Sequence, residues 1–183
     1  MVGLFYRNIM LILLKQHNLI PQKDSLTESP IEVRRMLLTS TKMKLAEEVY
    51  KHLPRNKDEV IGLDVGTTTW HLAKLLTERD RRTIVTNSQE IAELYLNKPD
   101  SNLYSTGGLL RAFDNGFYGP WAVRNISSTH MTASVLSTAG VKNWNGIGGV
   151  SFEDGEIKRA YLKNSELVIA MLDSSKFSQC TLM

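Results

Sequence analysis

Apolar positions change their spacing near residue 60, which divides the chain into a helical lead and an alternating body. In residues 6–20, Ile9, Ile12, Leu13 and Gln16 fall at helical intervals, with Leu19 and Ile20 closing the segment. This predicts one helix. Residues 21–29 are polar and turn-rich and read as a linker. Ser29-Pro30-Ile31-Glu32 then supplies an N-cap, a proline at the first helical position and a glutamate three residues after the cap, which together start a helix. A second helical pattern passes through Met43, Ala46, Tyr50 and Leu53, with Lys42, Lys44, Glu47, Glu48 and Lys51 facing solvent, until Pro54 ends it.

From Val60 onward, short β-rich runs alternate with amphipathic helices. The run IGLDVGTTTWHLAKLL (61–76) reads as a strand, a tight turn and a helix with Leu72, Leu75 and Leu76 on one side. Residues 83–86 form a second strand, after which Asn87 or Ser88 caps a helix carrying Ile91, Leu94 and Tyr95. Residues 102–105 form a third strand that ends in Gly107-Gly108. Residues 111–133 suggest loops around a short element, with Gly119-Pro120 among the loop signals. A strand over 134–139, a glycine- and asparagine-rich loop over 140–149 and a helix over 153–163 follow, with Ile157, Ala160 and Tyr161 sharing a face. Residues 167–172 are continuously apolar, as in a strand buried on both sides. The pattern predicts an α/β fold: a mostly parallel sheet with helices on both faces, preceded by N-terminal helices. In such sheets ligands collect beyond the carboxyl ends of the strands. Residues 66–69, 86–88 and 106–108 all lie at such ends.

Composition adds limits. A chain of 183 residues with 42% hydrophobic and 22% charged residues suits one globular domain. The net charge of +3 is uneven: residues 1–58 hold ten Lys and Arg against six Asp and Glu, whereas residues 59–183 hold twelve against thirteen. The single cysteine, Cys180, rules out an internal disulfide framework and a multi-cysteine metal site. No cofactor or metal is expected. The apolar run 9–14 is too short to span a bilayer, and no small-residue cleavage site follows it. The expectation is a cytoplasmic protein with no membrane partner.

The chemistry concentrates in the turn at 64–69. A helix N-terminus carries unpaired backbone N–H groups and a positive dipole end, so an oxyanion is its natural guest. Thr67, Thr68 and Thr69 add hydroxyls on the same lip. Gly66 permits close approach and, where the turn requires it, a positive φ. The alternative is that a threonine simply caps the helix. The turn lacks the lysine of a Walker loop and the three spaced glycines of a dinucleotide fingerprint.

Five blocks in order then carry a resemblance: DVGTTT at 64–69, VTNS at 85–88, TGGLLR at 106–111, EIKR at 156–159 and LDSSKF at 172–177. Over about residues 28–177 the chain resembles the C-terminal effector-sensing domain of the DeoR family of bacterial transcriptional regulators, a domain with a ribose-5-phosphate isomerase-like fold. The resemblance implies a phosphorylated sugar or sugar alcohol as effector, a homo-oligomer, and DNA as the family's partner. It places the phosphate on Gly66, Thr67, Thr68 and Thr69, and lines the pocket with Asn87 and Ser88. It brings the backbone close at Gly107 and Gly108, puts Asp64 at the mouth to accept a sugar hydroxyl, and offers Lys158 and Lys176 as cations. Ordinary surface charge is the alternative for both lysines.

Departures from the family pattern shape the remaining expectations. Residues 6–20 resemble only the first helix of a winged helix-turn-helix, so residues 1–28 are expected to be a remnant helix and linker that does not read DNA. Residues 29–183 are expected to be a sensing domain shortened at its C-terminus. Val65 stands where a small polar residue is common. With eleven residues after the strand at 167–172, an open sheet edge is expected, prone to self-association or covered by the N-terminal helix through Ile9, Ile12 and Leu13. A sugar-phosphate isomerase is the alternative function, with Glu153, Asp154 or Glu156 as base and Lys158 stabilising an enediolate. The acidic block of such isomerases is not found in the sequence.

Overall fold

The computed structural model describes residues 2–6, 9–14, 31–56, 58–79, 81–141 and 147–178. Among the described residues the strands are β1 (Val2–Tyr6), β2 (Ile9–Leu14), β3 (Val60–Leu63), β4 (Thr83–Thr86), β5 (Asn102–Ser105), β6 (Leu109–Arg111), β7 (Gly116–Tyr118), β8 (Met131–Leu136) and β9 (Ser165–Asp173). The helices are α1 (Ile31–Met36), α2 (Thr39–His52), α3 (Thr67–Arg79), α4 (Gln89–Tyr95), α5 (Gly119–Ser127) and α6 (Phe152–Lys163), followed by a 3-10 turn over Ser174–Ser178. Seven strands form one sheet in the order β1-β2-β9-β8-β3-β4-β5. From β2 to β5 all neighbours are parallel, and β1 runs antiparallel to β2. β6 and β7 make a separate hairpin.

Residues 9–14 are therefore not the predicted helix. An unbroken apolar run fits a buried helix or a buried strand equally well by periodicity. Here partner strand β9 decides, pairing in register from Ile9↔Val168 to Leu14↔Asp173. Met10 and Ile12 are buried in the same core cluster as Leu45, Ala46 and Val49 of α2. The first elements are thus strands of the α/β sheet, not helices set apart from it. β9 is an internal strand, and the open edge expected beside it is occupied by β2 instead of by a covering helix. The linker over 21–29 and the cap at Ser29-Pro30 lie outside the described residues.

Two further differences are local. Gly119-Pro120 opens α5, with Gly119 at φ +84° and proline in the first turn, where its missing N–H costs nothing. The strand expected over 134–139 is β8, which begins three residues earlier and leaves Ser137 beyond its end. Elsewhere β3, β4 and β5, the helices between them, and α6 follow the predicted pattern.

Each strand alternates sides, so the sheet has two cores. On one side Ile61, Leu63, Ile84, Ala133, Val135, Ile169 and Met171 pack against Leu45 and Val49 of α2, Leu72 and Leu76 of α3, and Ile91 of α4. On the other, Val85, Met131, Leu136 and Val168 pack against Ala122 and Ile126 of α5 and Ile157, Ala160 and Tyr161 of α6. No helix among the described residues is long and apolar enough to cross a membrane.

Candidate functional site

After β3 the chain builds β4 and β5 on one side, then returns to build β8 and β9 on the other. β3 and β8 are neighbours whose following loops diverge, and a switch point of this kind opens a crevice at the carboxyl ends. The crevice here is lined by Gly66 after β3, Ser137 and Thr138 after β8, Asp154 and Lys158 of α6, and Arg34 of α1. It is narrow, about 30 Å³.

Asp64 lies behind this crevice, wholly buried. Its Oδ2 accepts from Lys158 Nζ at 2.9 Å and its Oδ1 from the Ser137 N–H at 2.9 Å. Burial pushes the Asp64 carboxyl up to about 6, against the opposing pull of the Lys158 charge and the Ser137 N–H. Gly66 is required by crowding, because a Cβ there would stand 2.2 Å from Ser137 Oγ. Its φ is not positive, so the close approach alone explains the glycine.

A second chain of bonds joins α6 to the β6–β7 hairpin. Asp154 accepts from the Val150 N–H at 3.1 Å and stands 3.8 Å from Lys158 Nζ. Tyr118 OH donates to Asp114 Oδ2 at 2.7 Å and lies 3.5 Å from Asp154 Oδ1. Arg111 grips both Asp114 oxygens and sits 3.8 Å from the Tyr118 ring centroid. It also donates to Ser151 Oγ at 3.0 Å, the hydroxyl that caps α6. Desolvation raises the Tyr118 phenol, which stays neutral and donates. Three carboxylates, Asp64, Asp114 and Asp154, are thus set against Lys158 and Arg111, with Arg34 at the crevice wall.

The residues singled out from sequence separate into groups. Asp64, Gly66 and Lys158 come together, and the first turn of α3 with Thr67 and Thr68 adjoins them. Thr69 is buried and donates to Asp64 O and Gly66 O, both at 2.9 Å, so its hydroxyl holds the turn. Ser88 caps α4 by accepting from the Ile91 N–H. Asn87 is buried, with Nδ2 on Phe117 O at 3.3 Å and Oδ1 accepting from Tyr161 OH at 3.4 Å. Gly107 and Gly108, at φ +59° and +109°, line a different hollow of about 540 Å³ with Trp121, Arg124 and Asn125. The two hollows share no lining residue. Lys176 is in the 3-10 turn, close enough to Lys42 to depress its pKa.

Lys42 itself reverses the expectation of a solvent-facing residue: it is buried, and its ammonium donates to the Arg34 carbonyl. Desolvation first, then the Lys176 charge, lowers Lys42 to about 8. The candidates of the isomerase alternative are also scattered. Glu153 is exposed, and Glu156 is half-buried and paired with Arg159. Of the three carboxylates only Asp154 lines the crevice, beside Lys158. Ser137, Thr138, Asp114 and Arg34 were missed. The Ser-Thr pair after β8 was the one readable signal, since it repeats the polar strand ends at 67–69 and 86–88.

Residues 38–183 match the profile of the DeoR C terminal sensor domain. The chain belongs to this family. It is 32% identical over 158 residues to an uncharacterized HTH-type transcriptional regulator of Bacillus subtilis, covering 86% of this chain and 59% of that protein. It is 26% identical over 168 residues to the glycerol-3-phosphate regulon repressor of Escherichia coli, covering 92% of this chain and 66% of the repressor. The L-fucose operon activator of Haemophilus influenzae is 30% identical over 152 residues, covering 83% of this chain and 60% of the activator. This sensor domain of a DeoR-type regulator thus spans about 60% to two thirds of the length of such relatives. Among solved structures, a D-ribose-5-phosphate isomerase in complex with phospho-erythronic acid superposes with a TM-score of 0.55 at 18% identity, over 78% of this chain and 55% of that one. Ribose 5-phosphate isomerase A of Methanocaldococcus jannaschii gives 0.54 at 15%, over 76% and 54%. That likeness shows a common fold.

Proposed function

We propose that this chain senses a phosphorylated sugar or sugar alcohol at the switch-point crevice and is not itself an enzyme. The observation that carries the reading is the first turn of α3 opening beside the buried Lys158–Asp64 pair. Unpaired N–H groups at a helix start and an adjacent ammonium are a donor set for phosphate. Asp114 and Asp154 along the same wall suit hydroxyls, which carboxylates accept. Gly66, Thr67 and Thr68 would hold the phosphate, with Lys158 as counter-charge. Thr69, Asn87 and Ser88 support the walls, and Gly107 and Gly108 serve the other hollow. The names of the relatives from Escherichia coli and Haemophilus influenzae make glycerol 3-phosphate and L-fucose, free or phosphorylated, the first compounds to try.

DNA contact is not part of this proposal for the described residues, because α2 is buried against the sheet through Leu45, Ala46 and Val49 and is not free to enter a groove. Self-association is, through the exposed Trp121, Leu109 and Tyr104, and sedimentation equilibrium tests it.

Calorimetry decides the effector reading. Replacing Thr67 and Thr68 by valine is expected to weaken glycerol 3-phosphate binding by about 1–3 kcal/mol, the scale of lost charge-assisted hydrogen bonds. An affinity unchanged in the double variant sinks the site.

A further inference from the structure

We propose that Arg34, on the short helix α1, is a ligand-contacting residue of the crevice and carries its occupancy to the lead of the domain; the proposal rests on the effector reading above. Arg34 lies far in sequence from the motif blocks, yet it lines the same crevice as Gly66, Ser137, Asp154 and Lys158. A guanidinium that lines the crevice with Gly66, at the start of α3, suits an oxyanion, which an arginine can bind through two parallel N–H donors.

The crevice is small beside the other hollow, about 30 Å³ against about 540 Å³, and α1 is the wall able to widen it. It is six residues long, well short of a helix that holds itself together alone. It is held by the buried Ile31, by Arg35 paired with Glu90 and lying 5.0 Å over the Trp70 ring, and by the Lys42 ammonium on the Arg34 carbonyl. Its joint to α2 is Leu38, at φ 55° and ψ 32°. A leucine in the left-handed region is strained, which marks a hinge that stays put only while its surroundings hold it. Cations also crowd this corner. Arg34 and Lys176 both press on the buried Lys42, with Asp173 the opposing charge. An anion in the crevice relieves that crowding. Binding therefore draws Arg34 onto the ligand and seats α1.

The test uses the full chain with glycerol 3-phosphate and inorganic phosphate as probes. Hydrogen exchange with mass spectrometry is followed at residues 31–38 and 66–70, and affinity is measured for wild type, Arg34→Ala and Arg34→Lys. Expected for wild type is slowed exchange in both segments on adding glycerol 3-phosphate. Arg34→Ala is expected to bind about 10- to 100-fold more weakly, the scale of losing a charge-assisted contact, and to keep the protection at 66–70 while losing it at 31–38. Arg34→Lys, which keeps the charge without the fork, falls between. Protection at 66–70 with none at 31–38 in wild type overturns the proposal and leaves the site standing. So does an Arg34→Ala protein that binds as tightly as wild type. Absence of binding and of protection at 66–70 with either probe overturns the effector reading, and this proposal with it.

Discussion

The two faces of the sheet are both buried, but they are built from different chemistry. Toward α2, α3 and α4 the side chains that make the core are aliphatic: Ile61 and Leu63 of β3, Ile84 of β4, Ala133 and Val135 of β8. Toward α6 the alternate positions of the same strands admit polar groups. Ser134 Oγ meets Ser165 Oγ at 2.6 Å, Ser165 Oγ donates to Tyr161 O at 2.7 Å, and Tyr161 OH reaches Leu63 O at 3.3 Å. Asp64 and Lys158 complete that side at the carboxyl end. An apolar face tolerates any filling of the right volume, whereas a buried polar face holds together only while each group keeps its partner. The contrast assigns stability to one side and the placing of the crevice to the other.

Breaking a buried ion pair from one end is the harshest test of that contrast. Lys158→Met is expected to cost about 3–5 kcal/mol, because it leaves the buried Asp64 without its counter-charge, and Asp64→Asn to cost less, because Asp154 still stands 3.8 Å from the Lys158 ammonium. The double variant is expected to recover most of the loss while binding glycerol 3-phosphate less well than wild type. On the apolar side, Leu72→Ala is expected to cost about 2–5 kcal/mol through its cavity and to leave affinity unchanged at temperatures where it is folded. Urea unfolding and calorimetry on the four proteins check this, and equal losses in both single variants and the double would remove the pair from the account.

Acid titration sharpens the same comparison. Asp64 holds its proton more firmly folded, at about 6, than at its ordinary value of 3.8. Between these values the folded state binds more protons than the unfolded state, so this group lowers stability as pH rises through the window and exerts its full cost above about pH 6. A difference of about two units corresponds to roughly 3 kcal/mol. Thermal melts from pH 3.5 to 7 are expected to show this fall in wild type relative to the Asp64→Asn, Lys158→Met double variant. Parallel profiles would contradict it. The smallest effect is expected from Tyr161→Phe, which takes the hydroxyl donor from Asn87 Oδ1 while Leu63 O keeps the Thr86 hydroxyl at 2.7 Å, at a cost of about 1 kcal/mol. Urea unfolding measures it, and a neutral result would mean that the polar face is held elsewhere.

Much of the fold was legible because the signals are local. The alternation from β3 to β5, the apolar β9 and the turn at Gly66 each show within a short window, through period, turn residues and a capped helix start. The candidate site was less legible. Ser88 bonds its own helix start and Thr69 its own turn, contacts that the motif blocks do not announce.

The amino-acid sequence by itself determined the layered class, the strand ends where ligands could gather, and the family. Tertiary structure alone decided that Ile9 to Leu14 is a strand, since only the free side of β9 distinguishes a buried strand from a buried helix. It also turned Lys42 inward onto a carbonyl, divided Gly107-Gly108 from the crevice, and joined Lys158 to Asp64 across 94 residues of chain. Such pairings depend on which surfaces the sheet order brings face to face, and periodicity along the chain carries no record of that.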